Sequence, residues 1–248
     1  MSQKQKVRVV ANCYLLPFPS HQIWFYTSCS DYYHHINIFS FYFHYAGLRS
    51  IDVQVPDSIA KSFHTPGQYC QIISDGKPGF YAIRSPPDKT NVFSFIIKQT
   101  ENNERFANGE PGSKIDLSDP QGSGFKIAEY FDRYKYDFPT TRVLMMACGS
   151  GIAPIASAID SNLLGFGSIS YNSLFARKGL LYLGVQSEKH IPCQKDFDRW
   201  EDAGIKIVPV CSRPTDRWKR DVGYIQDVLR KENVEVPRNT GALLCGHR

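Results

Sequence analysis

The stretch Leu144-Met-Met-Ala-Cys-Gly-Ser-Gly-Ile-Ala-Pro154 constrains the fold of this chain more than any other. An apolar run of buried-strand length enters Gly149-Ser150-Gly151 and leaves as a helix whose third residue is Pro154. Glycines at a strand-to-helix turn let the backbone approach a ligand closely, while the free N–H groups of the first helical turn favour phosphate. Proline costs nothing there, because its missing N–H would have had no helical partner. A plain tight turn would use the same glycines, so the neighbouring strand ends must decide between the two readings.

Those strand ends follow a pattern. Val143–Cys148, Gly179–Val185, Ile205–Cys211 and Ala242–Cys245 are apolar runs, and Ile152–Leu163, Cys193–Ala203 and Val222–Glu232 between them carry helical spacing, with Gly204 as a C-cap signal. Strands alternating with helices build a parallel sheet, whose ligands bind at the C-terminal strand ends. At that edge lie the polar loop Gln186-Ser-Glu-Lys-His190, the group Cys211-Ser-Arg-Pro214, and Leu244-Cys-Gly246. Arginine suits bidentate phosphate contact and serine adds a small donor. Taken alone, Ser212-Arg213 also reads as a solvated turn and Cys245 as a small buried hydrophobe. Four strand ends with ligand-compatible residues on one rim favour a dinucleotide.

Upstream the texture differs. Ile51–Val55, Gln68–Ile73, Phe80–Arg84, Val92–Lys98 and Lys114–Leu117 are short strands broken by Gly and Pro, spaced as in a small antiparallel barrel. The expected organisation is therefore two domains: a barrel over 1–138, a linker at Pro139-Thr-Thr, and an α/β domain over 139–248. Residues 12–46 are crowded with Tyr, Phe and His and follow neither period.

Composition narrows the function classes. Hydrophobic residues make up 42% and charged residues 21%, the balance of a chain with a proper core. The net charge of +5 is spread rather than gathered in a patch, which argues against nucleic acid and for mild steering of anionic ligands. Seven cysteines without a CxxC pair read as reduced thiols, with no zinc, iron–sulfur or haem motif. The apolar run 36–48 is shorter than the ~20 residues a membrane span needs.

Gly149-Ser-Gly-Ile-Ala-Pro154, Cys211-Ser-Arg-Pro214, Gly223-Tyr-Ile-Gln226 and Leu244-Cys-Gly246 stand in the order and spacing of the ferredoxin–NADP reductase superfamily, and the chain resembles it over roughly 48–248. The likeness is nearest to plant FAD/NAD(P)-binding oxidoreductases of the kiwifruit fruit-protein type. It implies an FAD-type barrel followed by an NAD(P) domain, hydride passing from NADPH (or NADH) through FAD to an unidentified acceptor. It also implies that Gly149, Ser150, Gly151, Ile152, Ala153 and Pro154 border nicotinamide and pyrophosphate. Ser212 and Arg213 would meet the 2′-phosphate, Tyr224 and Gln226 the adenine side, and Cys245 with Gly246 the nicotinamide.

In the barrel, Thr65-Pro-Gly-Gln-Tyr69 resembles the turn entering the second strand, and Phe80-Tyr-Ala-Ile-Arg-Ser85 the flavin strand. The resemblance makes Tyr81 the aromatic stacked on the flavin, with Ala82, Ile83, Arg84 and Ser85 along it, and Gly122 in the loop Asp119-Pro-Gln-Gly-Ser-Gly-Phe125. Cys245 and Tyr81 are then the residues expected at the reacting rings. The family's phosphate-contacting arginine is Gly79 here and its hydroxyl residue is Ala82, leaving Arg84 or Arg105 to supply the charge. Two further expectations follow from the family pattern: an uncovered edge beside the last strand, where members continue with another helix and strand, and a foreign segment over 12–46, with a milder suspicion at Asn162–Phe175. A plastid location follows from the resemblance alone. A non-catalytic NADP(H)-binding module and an unstable gene product are the competing classes.

Overall fold

The computed structural model describes residues 8–14, 34–43, 47–74, 76–88, 90–132, 139–167, 176–232 and 234–246. Its strands and helices run β1 (Arg8–Tyr14), β2 (His34–Phe43), β3 (Leu48–Gln54), α1 (Asp57–Ser62), β4 (Tyr69–Ser74), β5 (Lys77–Ala82), β6 (Val92–Lys98), α2 (Glu104–Ala107) and β7 (Lys114–Leu117). They continue β8 (Arg142–Cys148), α3 (Ile152–Asp160), β9 (Lys178–Val185), α4 (Phe197–Asp202), β10 (Ile205–Cys211), α5 (Ile225–Lys231) and β11 (Thr240–Gly246).

Two sheets divide these elements. One is antiparallel, six-stranded, in the order β5-β4-β7-β2-β3-β6. It nearly closes on itself through the Ile83–Phe95 bridge and the Arg84 N–H to Ser94 carbonyl bond of 2.7 Å. Ile51, Val53, Cys70, Ile72, Phe95 and Leu117 fill its interior. The other sheet is five-stranded and parallel, in the order β1-β11-β8-β9-β10. Its apolar runs are buried on both faces, by α3 and α4 on one side and α5 on the other. This is the expected two-domain fold, a barrel followed by a parallel α/β sheet.

Three features differ from the expectation. β1 lies in the parallel sheet, paired with β11 from Arg8–Gly241 to Tyr14–Gly246, so the barrel does not include these N-terminal residues. The same pairing covers the β11 edge expected to be bare. Residues 34–43 are a barrel strand after all, paired with β3 and β7, with Ile36 and Ile38 buried. A register shift between Ile38 and Ser40 interrupts the strand's regular pairing with β3, which breaks the period a sequence would show. Positions 15–33, 44–46 and 168–175 lie outside the described residues.

The helices are shorter than their apolar spacing suggests, for local reasons. Asn162 takes φ 59° after α3, Cys193 takes φ 58° before α4, and Gly223 takes φ 112° before α5. A left-handed residue ends or delays a helix. Gly204, φ 88°, follows α4 as expected.

Candidate functional site

The parallel sheet winds outward in one direction through β8, β9 and β10 and in the other through β11, so its switch point falls between β8 and β11. Gly149-Ser150-Gly151 sits there. The two glycines differ in what they permit. Gly149 holds φ 55° and faces open space. A Cβ on Gly151 would lie 2.5 Å from the Cys245 carbonyl oxygen and 2.9 Å from the Gly246 Cα, so close approach of β11 demands glycine. Ile152, Ala153 and Pro154 follow as the buried first turn of α3, and their backbone, not their side chains, points at the rim.

A cavity of about 340 Å³ opens on this turn. Gly149 and Ser150 meet Ser212, Tyr224 and Gln226 along its wall. Gln186 and His190 come from the loop after β9, and Cys148, Gly184 and Ile225 form its floor. Tyr224 is 61% exposed, an aromatic face held out of the core. The loop after β9 is tied in place. Ser187 Oγ and His190 Nδ1 lie 2.8 Å apart, and Glu188 accepts hydrogen bonds from the Thr215 hydroxyl and N–H. The Thr215 hydroxyl holds the Glu188 carboxyl below its ordinary value.

Two lining residues come from the barrel: Leu48 at the start of β3 and Lys98 at the end of β6. No local sequence signal marks them. Lys98 is exposed and lines the same cavity as the phosphate-compatible turn.

Other expected residues are placed differently. Arg213 is exposed on the rim loop, and its N–H binds the Gln186 carbonyl at 2.7 Å; its side chain is outside the cavity wall. Cys245 is only 5% exposed, its side chain in the core beneath α3, so it meets the turn through its backbone carbonyl. Gly246 lies opposite Cys148, whose Cβ would be 2.8 Å from an added side-chain carbon.

The barrel strand carries the larger corrections. Tyr81 pairs across from buried Cys70 and turns into the barrel, its ring 5.2 Å from that of Phe106 and its hydroxyl over Gly79. The outward face carries Phe80 and Ala82 instead. Phe80 is 44% exposed and makes an edge contact with Tyr69 at 5.7 Å. Gly122, φ 81°, packs on the Tyr69 ring, where a Cβ would come within 2.9 Å. The aromatic ledge on the outward face is therefore exposed Phe80 against half-buried Tyr69, one residue out of phase with the expectation, because neighbouring strand residues face opposite sides. Arg84 is committed elsewhere, its guanidinium 3.1 Å from Asp160 and 2.6 Å from Asp196. That leaves its side chain no freedom for a cofactor phosphate. Ile83 is buried, and Ser85 accepts a hydrogen bond from the Ser157 hydroxyl at 2.7 Å through its carbonyl. Arg105 is exposed on α2.

Among the described residues no cluster of His, Cys, Asp or Glu could hold a metal, and no helix is long and apolar enough to cross a membrane.

A barrel packed against a parallel sheet with a glycine turn at its switch point defines a two-domain dinucleotide-binding oxidoreductase fold. Residues 145–248 match the oxidoreductase NAD-binding domain family. The chain is 32% identical over 210 residues to the fruit protein pKIWI502 of Actinidia deliciosa, covering 79% of this chain and 62% of that one. It is 27% identical over 173 residues to an NADH-cytochrome b5 reductase-like protein of Arabidopsis thaliana, covering 67% of this chain and 48% of that one. A ferredoxin NADP+ reductase from Neisseria gonorrhoeae, solved with FAD and NADP, shares the fold at TM-score 0.63 and 18% identity, over 86% of this chain and 83% of that one. The chain shares its fold with ferredoxin–NADP reductases, and its nucleotide half matches their NAD-binding domain family. It spans about three fifths of the length of the kiwifruit relative.

Proposed function

We propose that the protein is a flavin-dependent oxidoreductase that takes hydride from NADPH, or less readily NADH, and passes electrons through FAD to a separate acceptor. The observation that carries this reading is the cavity at the switch point, where the Gly149–Ser150 turn, Ser212 and Tyr224 meet Lys98 from the barrel. The free amides after Gly149 and the N-terminus of α3 suit the pyrophosphate. Lys98 adds the positive charge, Ser212 with exposed Arg213 suits a 2′-phosphate, and the Tyr224 ring suits the adenine.

The barrel residues fit a planar ring system. Phe80 offers an exposed aromatic face braced by the half-buried Tyr69, and Ala82 is the small residue beside it on the same face. FAD, when bound, would supply an acceptor for a hydride and release its electrons singly or in pairs. The protein's part is orientation: the rim holds the coenzyme, the ledge holds the ring, and no side-chain acid or base is needed for hydride transfer.

Titration calorimetry with NADPH and NADH, together with the flavin absorption band of purified protein, tests this. Binding of NADPH in the micromolar range and a yellow protein are expected. Lys98→Ala should weaken NADPH by about tenfold, the loss of one solvent-facing charge contact, and flatten its salt dependence. A Lys98→Ala variant that binds as tightly as wild type at low salt would remove Lys98 from the site.

One set of observations favours a second reading, a module that binds NADP(H) without catalysis. Gly79 stands where the family has its phosphate-contacting arginine, and Arg84 is committed to Asp160 and Asp196, which leaves that charge to Arg105 alone of the two replacements. Colourless protein that binds NADPH and does not take up added FAD would decide for the module.

A further inference from the structure

The seam between the two domains holds a charged cluster that the dinucleotide site does not use. Arg84, just beyond β5, reaches across to Asp160 at 3.1 Å and to Asp196 at 2.6 Å. Asp160 is the last residue of α3, and Asp196 immediately precedes α4, so both carboxylates belong to the parallel-sheet domain. Side-chain exposures of 17% for Arg84, 9% for Asp160 and 13% for Asp196 put the three groups largely out of solvent. Arg199 on α4 binds the same two carboxylates, at 2.8 and 3.1 Å, but from the solvent side, 57% exposed. The Trp200 indole N–H also donates to Asp160, at 2.9 Å.

A second bond crosses close by. Ser157, one turn earlier on α3 and fully buried, donates its hydroxyl to the Ser85 carbonyl at 2.7 Å. The far end of α3 is thereby fastened to residues 84 and 85, while its near end forms the dinucleotide turn. Residues 80–82, immediately before them, carry the ledge. One short segment of barrel chain thus joins the ledge to the helix that starts at the coenzyme rim.

Rotation of one domain against the other would strip Arg84 from both carboxylates inside a seam largely out of solvent, and a buried guanidinium left without partners is costly. Arg199 would remain on the sheet side with the two aspartates. Of the two arginines, Arg84 carries charge across the boundary and Arg199 does not.

We propose that Arg84 is a positioning residue that sets the angle between barrel and sheet, and with it the distance between coenzyme and ledge. It touches no reacting group. The proposal rests on the oxidoreductase reading for its catalytic consequence, though not for its structural one.

Arg84 and Arg199 bind the same two carboxylates, and only one of them crosses the seam, which supplies the control. Arg84→Gln should lower the turnover of NADPH oxidation with ferricyanide as acceptor by tenfold or more, since small misplacements of reacting groups cost that much. Its KM and calorimetric Kd for NADPH should stay within about twofold, because the rim is untouched. Arg84→Lys, which keeps the charge but cannot fork to two carboxylates, should recover part of the rate. Arg199→Gln should turn over like wild type.

Small-angle scattering of the same variants without coenzyme reads the seam itself. The distance distribution should broaden for Arg84→Gln and not for Arg199→Gln. Equal loss of turnover in both variants would reduce Arg84 to a general stability contact, and a wild-type rate with unchanged scattering in Arg84→Gln would overturn the proposal. If wild-type protein oxidises no NADPH, the oxidoreductase reading falls, and scattering alone decides whether Arg84 sets the angle.

Discussion

Gly149 and Gly151 look alike in the sequence, two small residues flanking a serine at the end of an apolar run. They are glycine for different reasons. Gly149 is glycine for its dihedral angles and Gly151 for the backbone of β11 lying against it. Gly151→Ala should therefore destabilise the protein by about 1–3 kcal/mol, since an overpacked methyl must push β11 aside. Gly149→Ala meets nothing within 4 Å, so its cost should be about 1 kcal/mol, the penalty of a side chain in the left-handed region. Urea midpoints of the two variants check the order, and equal midpoints would contradict it. The turn was legible in the sequence because its signal is local. Tyr81 was expected on the solvent face, whereas its ring packs on Phe106 and Phe80 faces outward, because strand residues alternate sides and one position exchanges solvent for core.

Strands and helices repeat the lesson at greater length. The four apolar runs after residue 142 were recognisable as strands because buried parallel strands are apolar on both faces. β1 was not, because its partner lies more than two hundred residues away and nothing in Arg8–Tyr14 names it. β1 closes the β11 edge, and an exposed parallel edge is a template for pairing with another chain. A chain beginning at residue 15 should therefore self-associate while keeping the barrel and most of the sheet. Size-exclusion with light scattering would see this as oligomers that grow with concentration. A monomeric truncated protein of unchanged stability would show that β1 contributes nothing to the edge.

The molecule as a whole buries thiols in both domains, and this gives it an alkaline weakness. Burial pushes the Cys193 thiol up to about 12, despite the opposing pull of Arg84, and the Cys211 thiol up to about 11; Cys70 in the barrel is raised further by the same cause. An unfolded thiol ionises near 9, so above that pH the unfolded chain releases protons that the folded chain keeps. The stabilising effect of these neutral thiols is complete below pH 9 and is lost as pH rises towards 11 or 12. Urea midpoints under reducing conditions should fall between pH 9 and pH 10.5, and Cys211→Ala should show a shallower fall. A flat profile over that window would contradict the linkage.

By itself the sequence determined the class of each domain, the glycine turn and the polar rim, because periodicity, turn chemistry and phosphate-compatible motifs are written in neighbouring residues. Only the tertiary structure decided that β1 completes the sheet, that Phe80 rather than Tyr81 faces outward, that Lys98 lines the cavity at the glycine turn and that Arg84 spans the seam. Each of these is a contact, or the absence of one, between segments far apart in the chain, and a side chain's partner across space leaves no trace in its neighbours along the backbone.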